Sequence, residues 1–124
     1  MNDEDARDPL TGRILAAAFE VANTLGHGFL EAVYQRALAH ELKNSGVQVE
    51  REVTFKTRYK GVDVGAYVAD MVIENEVVVE LKYAEHLAAA HTAQCLNYLK
   101  ASGIRTGLLL NFGRPRVEFR RLVL

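Results

Sequence analysis

The run Val77-Val78-Val79-Glu80-Leu81-Lys82-Tyr83 constrains this chain more than any other stretch. Five of its seven residues are apolar or aromatic and three valines stand in succession, which predicts a strand covered on both faces. Glu80 and Lys82 are two residues apart and therefore share one face of that strand. Burying a carboxylate and an ammonium costs several kcal/mol per ion unless geometry and partners compensate. A sequence that had only to fold would place valine and leucine there. The plain alternatives are a half-exposed strand with a solvated face, or a structural ion pair.

A second strand-like run, Val68-Ala69-Asp70-Met71-Val72-Ile73, precedes the first and is joined to it by Glu74-Asn75-Glu76. A three-residue loop pairs Ile73 with Val77, Val72 with Val78 and Asp70 with Glu80, so that Asp70, Glu80 and Lys82 share a face. A two-residue loop pairs Asp70 with Leu81 and sends the two acids to opposite faces. In the first register the carboxylates stand about 5 Å apart. At an effective dielectric of about 20 their repulsion is roughly 3 kcal/mol. A divalent cation removes that penalty, and hard oxygen ligands suit Mg²⁺ or Mn²⁺.

Asp70 followed by Glu80-Leu81-Lys82 resembles the signature of the PD-(D/E)XK nuclease superfamily. Gly28-Phe29-Leu30-Glu31-Ala32-Val33-Tyr34 looks like the motif that names the GxxExxY protein family within it. Gln94-Cys95-Leu96-Asn97-Tyr98 is similar to the Q-x-x-x-Y motif of the exonuclease branch. The likeness runs from about Leu10 to the C-terminus. It implies a metal-dependent nuclease that hydrolyses phosphodiester bonds in nucleic acid, with DNA the expected substrate. Asp70 and Glu80 would hold Mg²⁺ or Mn²⁺, the Leu81 carbonyl would add a ligand, and Glu31 would be a third acid facing the metal directly or through water. Lys82 would orient the attacking water or neutralise charge at the phosphate. Gln94 would position water or DNA, supported by Tyr98. His91 and Arg114 are further candidate substrate contacts. The resemblance departs at Val68, where relatives often carry a basic residue.

The remaining elements follow from periodicity and punctuation. Residues 1–8 are polar and acidic and read as a disordered arm, with 9–124 as one nuclease-like domain. Asp8-Pro9 supplies a cap and a first helical proline, after which Ile14, Ala18, Val21 and Leu25 recur at helical spacing. A second helical pattern runs from Leu30 through Leu42 to a stop at Asn44-Ser45-Gly46. Glu31 lies at the edge of its apolar stripe, where the plain reading is an acid favoured by the helix dipole. Tyr34 reads as a packing residue with a polar tip. Val47 to Tyr59 alternates loosely up to a Lys60-Gly61 turn, and Arg51, Lys56, Arg58 and Lys60 there are either a solvated edge or a phosphate-contacting rim. Leu87 to Ala101 predicts a helix ending at Ser102-Gly103. On it Cys95 is an apolar filler, and His86 and His91 do not share a face well enough to form a metal pair. Gly107-Leu108-Leu109-Leu110, within Arg105 to Phe112, predicts a buried strand, parallel to its neighbour across the helical crossover. Val117 to Leu124 predicts an edge strand, and Arg114, Arg116, Arg120 and Arg121 are candidate phosphate holders there.

The expected architecture is therefore α/β: a restriction-endonuclease-like core with N-terminal helices, an antiparallel β-meander, a crossover helix and one or two further strands. A chain of 124 residues with 49% hydrophobic residues suffices for a single core. One cysteine excludes an internal disulfide framework and fits a reducing, cytoplasmic compartment. No apolar run has the length of a membrane span. A net charge of −1 excludes broad electrostatic binding, so any nucleic-acid surface must be a local basic patch. A small chain also leaves room for a homodimer or a partner protein. The rival reading is a catalytically inactive module of the same fold that binds nucleic acid or a protein partner, with Asp70, Glu80 and Lys82 a salt-bridged remnant. A nuclease working only within a larger assembly is the third.

Overall fold

Asp8 starts the first helix through its own carboxylate. Oδ1 accepts the Thr11 amide at 3.3 Å and Oδ2 the Thr11 hydroxyl at 2.7 Å, with Pro9 in the first turn. The computed structural model describes residues 8–124. The arm expected at residues 1–8 therefore lies outside the described residues, except for this capping aspartate.

Helix α1 (Pro9–Leu25) buries Ile14, Leu15, Ala18 and Val21 and ends at Gly26. Helix α2 (Glu31–Asn44) buries Tyr34, Leu38 and Leu42 and stops at Ser45. Strands β1 (Val49–Tyr59) and β2 (Val62–Ile73) form a long hairpin around Lys60 and Gly61, whose φ angles of +49° and +82° give the turn whose twist suits a two-residue connection. Because that turn is so tight, β2 begins at Val62 rather than at Val68 and pairs with β1 along almost its whole length.

The loop into β3 (Val77–Lys82) has three residues, with Glu74 and Asn75 left-handed at φ +53° and +54°. It sets the register Ile73↔Val77, Val72↔Val78 and Met71↔Val79. After β3 come α3 (Ala89–Ser102), β4 (Thr106–Asn111), which runs parallel to β3, and β5 (Glu118–Val123) on the sheet edge. The strand order is β1-β2-β3-β4-β5.

The sheet is covered on both faces. Helices α1 and α2 pack against Met71, Ile73, Val77, Val79, Leu81, Leu108 and Leu110. Helix α3 covers the other face, where Leu99 meets Ala69, Val72 and Val78 and Cys95 meets Leu109. Every residue of β3 from Val77 to Leu81 is buried, as its composition requires. Cys95 is 1% exposed and serves as packing; burial pushes its thiol up to about 12, so it is no nucleophile. Among the described residues no helix is long and apolar enough to cross a membrane.

Two arginines expected as phosphate holders tie elements together instead. Arg121 pairs with Asp8 at 2.9 Å, fastening the start of α1 to β5. Arg120 donates to the Thr92 hydroxyl at 2.5 Å, fastening α3 to the same strand.

Gly107 marks the closest approach of α3 to the sheet. A Cβ there would stand 2.8 Å from Cys95 Sγ and 3.3 Å from Leu99 Cδ1 and Cδ2. Gly107→Ala is expected to destabilise the fold by about 1–3 kcal/mol in urea titrations, and Cys95→Ala in the same chain to recover part of that loss.

Candidate active site

The β2–β3 ladder stops at Met71↔Val79, and side chains take over where the next pair would stand. The Asp70 amide donates to Glu80 Oε2 at 2.8 Å, and the Leu81 amide donates to Asp70 Oδ2 at 2.8 Å. Each acid thus satisfies a backbone donor of the opposite strand that a regular ladder would have paired. Face alternation also breaks here. Met71 and Ile73 join the cluster under α1 and α2, whereas Ala69 and Val72 both join the cluster under α3. Opposite the break, on β1, Glu52 has a φ of +54°. The expectation that Asp70, Glu80 and Lys82 share one face is corrected by this irregularity. Asp70 lines a cleft of about 260 Å³ on the α2 side with Glu31, Gln35, Glu52, Leu81 and Tyr83, while Glu80, 4% exposed, lies outside that lining and meets Asp70 across the gap.

Glu31 reaches the cleft because of the turn that precedes it. Gly28 has a φ of +103°, a conformation that a side chain would strain. The buried Tyr34 hydroxyl donates to Gly26 O at 2.6 Å and accepts the Phe29 amide at 3.2 Å, clamping the loop. Its ring stacks on Phe112 with centroids 5.0 Å apart, and the Tyr83 hydroxyl donates to Glu31 O at 2.9 Å. The first turn of α2 is thereby fastened to the end of β3. Gln35, one turn on, donates to Asp70 O at 3.3 Å. Sequence reasoning missed Gln35, Glu52 and Tyr83 as cleft residues. The spacing Glu31-x-x-x-Gln35 on one helix face was the signal for the first; nothing local announced the other two.

On the α3 side Lys82 Nζ donates to Gln94 Oε1 at 2.7 Å. These two expected site residues therefore meet. Among the described residues no hydrogen bond joins Tyr98 to Gln94; the Tyr98 ring lies flat on Tyr67, with centroids 3.8 Å apart and planes 5° from parallel. His91 Nδ1 accepts the Ala88 amide at 2.9 Å and so closes the start of α3. Arg114 bonds His86 Nδ1 at 2.7 Å, and no described contact links it to the acids. The loop between β3 and α3 is held by the fully buried Asn111, whose side chain bonds both Ala84 N (3.0 Å) and Ala84 O (2.9 Å).

A profile of the PD-(D/E)XK nuclease superfamily matches residues 8–122 of the chain. The chain belongs to that superfamily. Three solved chains also match, among them the crystal structure of SSO0001, with a TM-score of 0.56 and 22% identity over 74% of this chain and 48% of that one. The chain thus spans about half the length of SSO0001, and the likeness carries the restriction-endonuclease-like fold alone. No curated protein matches. The superfamily is one of nucleases, which points to nuclease-type chemistry.

In this PD-(D/E)XK domain the two carboxyls lie close enough to shift each other's hold on a proton. Burial, then the charge of Asp70, pushes Glu80 up to about 7, against the pull of the Asp70 amide and of Lys82. Burial likewise raises Asp70, opposed by the Leu81 amide and Lys82, with Glu31 adding to the rise. Among the described residues no three acid, histidine or cysteine side chains close on one point as a metal shell would. The donor chemistry nevertheless suits a hard divalent cation: two desolvated carboxyls in contact, and a third acid on the same cleft.

The sign of the pH dependence follows. In chelating buffer the native state keeps on Glu80 a proton that the unfolded chain, with a carboxyl of 4.5, has already lost. Stability is therefore complete below about pH 4.5 and falls as pH rises towards 7. Denaturant titrations across that window are expected to show a loss of roughly 3 kcal/mol, most of which disappears in Glu80→Gln.

Proposed function

We propose that the chain is a metal-dependent nuclease that hydrolyses phosphodiester bonds, with DNA as its expected substrate, and that Gly28 to Tyr34 is the GxxExxY motif of the family so named. One observation carries the reading: half-buried Asp70 and buried Glu80 meet beside a lysine that, among the described residues, neither of them neutralises by an ion pair. Lys82 donates to Gln94 instead. A salt bridge kept only for stability would have Lys82 on Glu80.

In this reading Asp70, Glu80 and the Leu81 carbonyl would hold Mg²⁺ or Mn²⁺, with Glu31 completing the acidic shell. The bound ion would supply Lewis acidity at the phosphate and favour ionisation of the attacking water. Lys82 would face the phosphate and offset negative charge as it develops, an interaction made mainly in the transition state. Gln94 holds the ammonium in place through its carbonyl and would present its amide to water or to the strand. The backbone amides of Asp70 and Leu81 hold the two carboxyls, so the site is fixed by the sheet rather than by loops. Tyr98 is retained as a substrate contact. His91 and Arg114, engaged with the Ala88 amide and His86, are left outside this reading.

A second reading has its own observation. Both carboxyls already accept backbone amides, which is what a non-catalytic remnant would keep for folding. Calorimetric titration with Mn²⁺ separates the two. The nuclease reading expects binding that is lost in Asp70→Ala and Glu80→Ala, that strengthens as pH rises towards about 7, and that releases a proton below it. Unchanged binding in both variants removes the proposed site. With Mn²⁺ and single- or double-stranded DNA and RNA, Lys82→Ala is expected to cut the cleavage rate by at least about 100-fold while metal affinity is kept. Full-rate cleavage by that variant refutes the role given to Lys82.

A further inference from the structure

The face of the sheet away from the acid cleft carries a second, larger concavity with the opposite electrostatic character. It measures about 710 Å³ and runs between the β1–β2 hairpin and α3, lined among others by Lys56, Arg58, Lys100, Asn97, Tyr67 and Tyr98. No acid lines it. Asp63 pairs with Lys56 at 3.6 Å and Arg58 at 3.2 Å, but all three side chains are 49–65% exposed. Such exposed pairs contribute little and yield readily to a phosphate. Lys100 has no ion pair among the described residues.

The aromatic content of the groove is as informative as its charge. Phe55, Tyr67 and Tyr98 form a ladder of stacked rings, with centroids 5.4 Å apart at 26° and then 3.8 Å apart at 5°. Tyr67 is fixed at both ends, since its hydroxyl also donates to the Tyr98 carbonyl at 2.5 Å. Among the described residues no further ring continues the ladder beyond Tyr98. A rigid stack that ends at the wall of a cationic groove offers a planar base the next place in the series.

The groove also leads to the acids. Tyr98 lies within the electrostatic reach of Glu80 and Asp70, and Tyr67 within that of Glu80. One turn of α3 before Tyr98, Gln94 bonds Lys82. A strand whose base rests on Tyr98 would meet Gln94 and Lys82 next.

We infer that this groove binds an unpaired, single-stranded segment of nucleic acid, stacking a base on the Tyr67–Tyr98 pair and holding its phosphates with Lys56, Arg58 and Lys100. The inference deepens the nuclease reading and rests on it for the strand's destination. Duplex is disfavoured as occupant, because its base faces are already stacked within the helix and cannot reach a ring. Stacking on aromatic rings is sequence-tolerant, so the groove selects strandedness rather than sequence.

The test is fluorescence anisotropy of labelled oligothymidine, oligouridine and a blunt duplex with the full chain in chelator, where cleavage is silent. Both single strands, or one of them, are expected to bind more tightly than the duplex, which also tells DNA from RNA. Tyr98→Leu is expected to weaken single-strand binding roughly 5- to 150-fold, and Tyr98→Phe to retain it. Lys100→Ala, a surface change that leaves packing intact, is expected to make the slope of log K against log salt shallower by about 0.7. Single-strand affinity and salt slope both unchanged in Tyr98→Leu and Lys100→Ala, or tighter binding of duplex, would overturn the proposal. Failure of the nuclease reading is seen separately, as loss of cleavage and metal binding while these groove variants still weaken the single-stranded complex.

Discussion

Where β2 and β3 part company, two carboxyls stand in for the backbone. The exchange between Asp70 and Glu80 satisfies two amides that would otherwise be orphaned next to the core, and an orphaned buried donor costs about 1–3 kcal/mol. It does so with groups that repel each other when both are ionised, which adds to the effect of burial in raising Glu80. Everything around this pair is arranged to keep the strands apart at that point. The left-handed Glu52 on β1 and the switch of face between Ala69 and Met71 let β2 turn its acid into the gap without unravelling the hairpin.

Two independent clamps bring the other groups to the pair. On one face Tyr34 holds the Gly26–Phe29 loop and stacks on Phe112, and Tyr83 fastens the Glu31 carbonyl. On the other, Asn111 fixes Ala84, and the tight contact of α3 over Gly107 sets the depth at which Gln94 meets Lys82. The result is a sheet with acids gathered under α2 and cations gathered beside α3. A net charge near zero therefore conceals a separation of charge across the sheet, and that separation is what a negatively charged polymer and a divalent cation would each require.

Much of this was legible in the chain because the signals were local. The apolar run at Val77 to Leu81, the three-residue loop that fixes the β2–β3 register and the caps at Asp8 and Gly103 are each written within a few neighbouring residues. The face of Asp70 was not legible, since strict alternation assumes a regular strand and the break depends on Glu52 in a different one. The terminal arginines were misread for a related reason. Arg120 and Arg121 look exposed in sequence, and only the packing of β5 beside α1 and α3 gives them Thr92 and Asp8 as partners. Tyr67 was silent because its importance lies in stacking on a residue 31 positions away.

The proximity of the two acids also bears on why such an arrangement would persist in a folded protein. Replacing buried ionisable groups with apolar ones of similar size is often neutral or stabilising. Here the acids lower stability as pH rises towards neutrality, and Lys82 beside them bonds a neutral amide rather than either carboxyl. A device selected for stability would have paired Lys82 with Glu80 and lowered that carboxyl's pKa. What stands instead is a site that loses free energy at neutral pH when empty; under the proposed function a cation displacing the proton would restore it, so that folding and ligand binding would draw on the same two side chains.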